Sequence, residues 1–235
     1  MIRVGLLCGM LLVTGCGGPQ SQPSADTRTA GSPATAAPTT GVPTGGSATP
    51  GGDGRLQVSE LLSGLTSPWG LVALKDGTLL ISERDTKRIL RVEGSATKLL
   101  RTIEEAQPSG EGGLLGLAIT PDESRVFAYY TAAADNRIVA MTWDGASLGE
   151  PEVILDGIPS SGIHNGGRMI VGPDGYLYVG TGDGSESERA QDKSSLGGKI
   201  LRVSLNGEPA PGNPFGNEVF SFGHRNVQGL SLIHI

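Results

Sequence analysis

Arg168-Met169-Ile170-Val171-Gly172-Pro173-Asp174-Gly175-Tyr176-Leu177-Tyr178-Val179-Gly180 is two β-prone apolar runs joined by Pro-Asp-Gly. Asp-Gly between such runs favours a tight hairpin turn. The same unit stands twice upstream. Gly70-Leu71-Val72-Ala73-Leu74 leads through Asp76-Gly77 into Leu79-Leu80-Ile81-Ser82, and Gly116-Leu117-Ala118-Ile119 leads through Pro121-Asp122 into Val126-Phe127-Ala128-Tyr129-Tyr130. The turn aspartates 76, 122 and 174 are 46 and 52 residues apart, an interval that suits one four-stranded propeller blade. A further run follows each hairpin, with a basic residue ahead of alternating apolar positions: Arg88-Ile89-Leu90-Arg91-Val92, Arg137-Ile138-Val139-Ala140-Met141 and Lys199-Ile200-Leu201-Arg202-Val203. No stretch carries helical periodicity. Regular hairpins also suit a β-sandwich, but a sandwich gives no reason for the two-part unit to recur. The expectation is an all-β chain whose residues 55–229 form about three propeller blades plus part of a fourth.

The first residues have a different character. Met1 to Cys16 place Arg3 before an apolar run from Val4 to Val13, ending in Val13-Thr14-Gly15-Cys16. The run is too short to span a membrane and reads as an export signal over residues 1–15. Its last four letters resemble a bacterial lipobox, which makes Cys16 the expected lipidation site. Cys8 leaves with the signal, and with 2 cysteines in the chain none remains for a disulfide. Residues 16–54 are rich in Gly, Pro, Ser, Thr and Ala and cannot bury enough apolar surface to offset their ordering entropy. They form a tether of roughly 30–35 Å root-mean-square reach. At the other end, Leu230-Ser231-Leu232-Ile233-His234-Ile235 matches one reading frame of a transposon end used in preparing sequencing libraries. Residues 230–235 are therefore expected to be a non-native tail in which His234 has no function. The net charge of −6 includes no basic block, which argues against nucleic acid as a partner. The expected location is the outer face of a bacterial membrane or the periplasm, with membrane contact through the lipid alone.

With the tail set aside, His164 and His224 are the two histidines, and both sit among glycines. His164, in Ser161-Gly162-Ile163-His164-Asn165-Gly166-Gly167, immediately precedes an inner strand, where a loop meets the channel of a propeller. An imidazole there suits a general base, and it equally suits a turn residue without a role. Asp183 ends the strand paired with the one after His164, so a shared face could bring carboxylate and imidazole together and fix the ring's tautomer. Gly180-Thr181-Gly182-Asp183-Gly184 is no dinucleotide fingerprint, because no helix is expected after it and no third glycine falls in register. Asp183 to Glu188 lacks the glycine of a calcium loop. Arg225 and Asn226, in Gly223-His224-Arg225-Asn226-Val227-Gln228-Gly229, join a fork-shaped cation to an amide, a pairing suited to the carboxylates and carbonyls of a planar acid. Glu111, ahead of Gly112-Gly113-Leu114-Leu115-Gly116-Leu117, reads from chemistry alone as a solvated loop acid.

These phrases, with Ala190-Gln191-Asp192, Gly198-Lys199-Ile200-Leu201-Arg202-Val203 and Asn213-Pro214-Phe215, resemble in order the soluble pyrroloquinoline-quinone (PQQ) dependent glucose, aldose and sorbosone dehydrogenases. The resemblance covers residues 56–229. It implies a six-bladed propeller with PQQ over the channel and calcium on the cofactor, of which this chain carries about half and is expected to be inactive alone. It further implies that His164 takes the sugar's hydroxyl proton while hydride passes to the quinone, that Asp183 orients His164, and that Arg225 and Asn226 contact PQQ. Arg225 would also stabilise charge developing on its oxygen. Glu111 stands where the glucose enzymes carry a glutamine that touches substrate or cofactor, and Ile163 replaces an acidic neighbour found in some members. The implied activity is oxidation of an aldose or related sugar, with electrons passed to an external acceptor. The alternative is a non-catalytic propeller that binds glycan or protein, similar to hedgehog-interacting relatives. The implied calcium ligands fall mostly in later blades, so no metal-binding residue is named.

Overall fold

The computed structural model describes residues 59–233. The export signal, Cys16 and the whole tether lie outside them, as does His234. The described residues fold as three four-stranded antiparallel meanders in chain order. The first blade is β1 (Pro68–Ala73), β2 (Leu79–Glu83), β3 (Arg88–Glu93) and β4 (Ala96–Thr102). The second is β5 (Leu114–Ile119), β6 (Arg125–Thr131), β7 (Asn136–Thr142) and β8 (Glu152–Ile158). The third is β9 (Gly166–Val171), β10 (Leu177–Thr181), β11 (Lys199–Val203) and β12 (Val219–Phe222). The repeated basic-apolar runs are the third strands β3, β7 and β11, with β4, β8 and β12 outside them. Residues 223–233 form no further strand, although Asn226 bridges to Gly182.

Each hairpin turn is tied by its aspartate. Asp76, Asp122 and Asp174 each accept the backbone N–H two residues on, from Thr78 (2.8 Å), Ser124 (3.1 Å) and Tyr176 (3.3 Å). The side chain thus closes the turn and pre-sets the antiparallel return. One expectation needs correction: a one-turn helix, α1 (Ser187–Gln191), follows the Gly180–Gly184 segment. Five residues are too few to carry a detectable helical period, so the pattern could not announce it.

Alternation along the strands fills two cores. From β6, Val126, Ala128 and Tyr130 pack between the first and second blades with Leu80, Ile89 and Leu114. Its other face sends Phe127 and Tyr129 between the second and third, against Met169, Val179 and Leu201. The second blade is therefore buried on both faces, in the way side chains of period two allow. The inner strands converge so closely that side chains are excluded. A Cβ on Gly116 would lie 1.9 Å from the Gly167 carbonyl oxygen. Because each blade is a meander, the segments after β2, β4, β6, β8, β10 and β12 all emerge on one rim, and that rim carries every candidate site residue among the described ones, His164, Asp183, Arg225, Asn226 and Glu111.

Candidate functional site

His164 lies two residues before β9 and is buried, with φ of 60°. A non-glycine residue in this region is disfavoured by roughly 1–2 kcal/mol, so neighbouring groups must hold it. Three do so. The Glu111 carboxylate accepts the His164 N–H at 2.8 Å, the His164 carbonyl accepts the Gly184 N–H at 3.2 Å, and ring Nδ1 lies 2.8 Å from Asp183 Oδ1. The last contact requires the 182–184 segment to press against the histidine backbone. A Cβ at position 182 would come within 1.8 Å of the His164 carbonyl oxygen, which is why a glycine precedes the aspartate.

Asp183 is buried at 4% exposure, and its Oδ1 also accepts the Ser185 N–H at 2.9 Å. A carboxylate only accepts, so Nδ1 is the ring nitrogen that donates, and in the neutral ring this contact leaves the Nε2 lone pair available. Nε2 has no hydrogen-bond partner among the described residues. The structure thus brings together the imidazole and carboxylate that the sequence places on one face.

The Arg225 backbone carbonyl accepts the Asp183 N–H at 2.8 Å, while its side chain is exposed and makes no ion pair among the described residues. It borders a cleft of about 240 Å³ with Asp183, Ser187, Gln191 and His224. His224 pairs its Nε2 with the Ser221 hydroxyl at 2.9 Å. Burial, with the Lys199 charge adding to it, holds its pKa below the usual histidine value. Asn226 turns toward protein: its Oδ1 accepts the Gly166 N–H at 2.9 Å and its Nδ2 reaches Glu111 at 3.4 Å. Glu111 is half-buried and engaged, so the solvated loop acid expected from chemistry alone is replaced by a bridging one.

Sequence reasoning missed a buried amide relay behind His164. Asn136 Oδ1 accepts the Thr131 hydroxyl at 2.7 Å, and its Nδ2 donates to the Pro159 carbonyl at 2.7 Å and to Asn165 Oδ1 at 3.2 Å. Asn165 in turn donates to the Ser161 carbonyl at 2.8 Å, and its own carbonyl accepts the Tyr129 hydroxyl at 2.8 Å. Lys199 heads its strand as Arg88 and Arg137 head theirs, but its surroundings differ. It is fully buried, with Nζ donating to the carbonyls of Arg189 (2.6 Å), Gly197 (2.6 Å) and Ala190 (3.2 Å). Burial pushes its pKa down, opposed by the Asp192 charge.

The sequence signature described as Glucose / Sorbosone dehydrogenase matches residues 65–234. The chain belongs to the glucose/sorbosone dehydrogenase family. Its fold is similar to the PQQ-bound aldose sugar dehydrogenase of Streptomyces coelicolor, at 49% identity and a TM-score of 0.69, over 72% of this chain and 54% of that one. It is 29% identical to quinoprotein glucose dehydrogenase B of Acinetobacter calcoaceticus, over 73% of this chain and 45% of the relative. It is 27% identical to an aldose sugar dehydrogenase of Escherichia coli, over 75% of this chain and 53% of the relative. The chain therefore spans about half the length of the glucose/sorbosone dehydrogenases it matches, and within that half it forms three propeller blades.

Proposed function

We propose that the chain carries the proton-accepting part of a PQQ-dependent dehydrogenase that oxidises an aldose or related sugar. The observation that carries this reading is the buried His164–Asp183 pair, 2.8 Å apart, whose aspartate lines a cleft bordered by an exposed arginine. The residues fit an anionic planar cofactor: the Arg225 guanidinium, without an ion pair among the described residues, offers paired donors to a carboxylate or quinone oxygen. PQQ, when bound, supplies the hydride acceptor.

The rest of the chemistry belongs to the chain. His164 Nε2 accepts the hydroxyl proton of the carbon being oxidised. Asp183 keeps the other ring proton on Nδ1 and stabilises the imidazolium that results. Arg225 places positive charge where negative charge develops. Among the described residues no group of three or more His, Cys, Asp or Glu gathers as a metal site, and no step here depends on calcium. Electrons leave to an external acceptor, and Cys16 holds the protein to the outer face of the membrane through its lipid.

The test uses the complete product of the gene. PQQ titration followed by dye reduction with glucose or another aldose is expected to give saturable binding and turnover. No binding and no reduction would refute the dehydrogenase reading in favour of a non-catalytic propeller. Labelling cells with an alkynyl fatty acid is expected to mark the protein and to fail in Cys16→Ser.

A further inference from the structure

We propose that Glu111 and Asn226 are positioning residues that form a clasp on the backbone of residues 164–166, and that Glu111 serves the base rather than the sugar. The idea rests on His164 being the base. Three hydrogen bonds close the clasp. Glu111 Oε2 accepts the His164 N–H at 2.8 Å, Asn226 Oδ1 accepts the Gly166 N–H at 2.9 Å, and Asn226 Nδ2 donates to the same Glu111 oxygen at 3.4 Å. The three segments are far apart in sequence. Glu111 lies between β4 and β5, His164 between β8 and β9, and Asn226 after β12, so one clasp ties the rim ends of all three blades.

The clasped segment is the one that needs holding. His164, Gly166 and Gly167 have φ of 60°, 68° and 110°, a region that residues other than glycine, histidine included, adopt uncommonly. The ring can meet Asp183 only while this backbone stays in place. Donor and acceptor roles are matched: Glu111 Oε2 takes two donors, and the Asn226 amide uses its oxygen on one partner and its nitrogen on the other. Glutamine at position 111 could accept the His164 N–H through its own oxygen. An aliphatic residue would leave that N–H without this partner, at a site where misplacement by about 1 Å costs on the order of 100-fold in rate.

Two measurements test the clasp. The first is amide hydrogen exchange by NMR on this chain, with no cofactor or substrate. The His164 and Gly166 amides are expected to be protected. Glu111→Ala should speed His164 exchange by at least about 10-fold, equivalent to about 1.4 kcal/mol of lost protection, and Glu111→Gln should retain most of it. Asn226→Asp sets two carboxylates face to face and should loosen both amides. The second is steady-state kinetics of the complete product with PQQ. Glu111→Ala is expected to lower kcat by about 10–100-fold while the sugar KM stays within about 3-fold, and Glu111→Gln should recover most of kcat.

A raised sugar KM with unchanged kcat in Glu111→Ala would overturn the proposal, because that is the signature of a substrate contact. Unaltered His164 exchange in Glu111→Ala would overturn it as well. If the unsubstituted enzyme reduces no dye, it is the dehydrogenase reading that has failed, and the exchange data decide the clasp without it.

Discussion

Asp183 Oδ1 receives two donors, the imidazole Nδ1–H at 2.8 Å and the Ser185 N–H at 2.9 Å. Asparagine fits the same space but gives up the charge. With its oxygen kept on the Ser185 N–H, it cannot compensate an imidazolium, and with its nitrogen turned to the ring it selects the tautomer in which Nε2 carries the proton and cannot act as a base. Asp183→Asn is therefore expected to lower kcat of the complete, PQQ-loaded enzyme by about 10²–10⁴-fold with little change in the sugar KM. Unchanged kcat would mean that the carboxylate does not serve the ring. His164 and Asp183 were readable from sequence because each is a chemistry-bearing residue among glycines, on segments whose pairing followed from the hairpin. Asn136 was not. Its role depends on the pairing of Asn136 with Ile158, which brings its amide to the Pro159 carbonyl, and no local pattern encodes that distance. Lys199 looked like its counterparts Arg88 and Arg137, and only the wrapping of residues 189–197 around its ammonium tells it apart.

Elements depend on their turns, and the turn aspartates make that dependence titratable. In the β5–β6 hairpin the Thr120 hydroxyl, then the N–H and hydroxyl of Ser124, hold the Asp122 carboxyl down to about 2, from an ordinary value of 3.8. As pH falls the unfolded chain takes up this proton first, so the contribution to stability is complete above 3.8 and is lost as pH falls through about 2. Asp122→Asn keeps an acceptor for the Ser124 N–H but has nothing to titrate. Urea midpoints measured from pH 5 to pH 2 should therefore fall less steeply for this variant than for the unsubstituted chain, and equal slopes would remove the turn from the account. The inner strands offer a steric test. Gly116→Ala drives a Cβ to 1.9 Å from the Gly167 carbonyl oxygen and is expected to cost about 3 kcal/mol in denaturant unfolding. Gly162→Ala meets nothing within 4 Å and should be close to neutral. The hairpins were legible because Asp-Gly between apolar runs is a local signal. The need for glycine at 116 was not, since its cause is the backbone of another blade 51 residues away.

At the scale of the whole propeller segment, stability should be graded from the middle outward. The spacing of the turns along the sequence gave the blade count, but it could not say which blade is most enclosed, because that depends on which faces meet. The second blade contributes to both cores, and every residue of β6 from Val126 to Thr131 is buried. By contrast, β4 is exposed from Ala96 to Leu99, with Leu99 at 52%, and Phe220 and Phe222 of β12 are 38% and 37% exposed. Opening β4 breaks one ladder and releases little apolar surface, and opening β12 breaks one ladder and exposes the single core residue Val219, whereas opening β6 requires two cores to separate. Local openings should therefore cost least at the outer strands and approach the global unfolding free energy in β6. Amide exchange followed by NMR is expected to be slowest from Val126 to Tyr130 and at least about 100-fold faster in β4 and β12, a gap of about 2.7 kcal/mol. Protection that is uniform across the three blades would mean that they unfold only together. Fastest exchange in β6 would contradict the packing itself. The same gradient gives the site its footing: Tyr129 and Thr131 of β6 donate to Asn165 and Asn136, so the segment carrying His164 is tethered to the strand with the most to lose by moving.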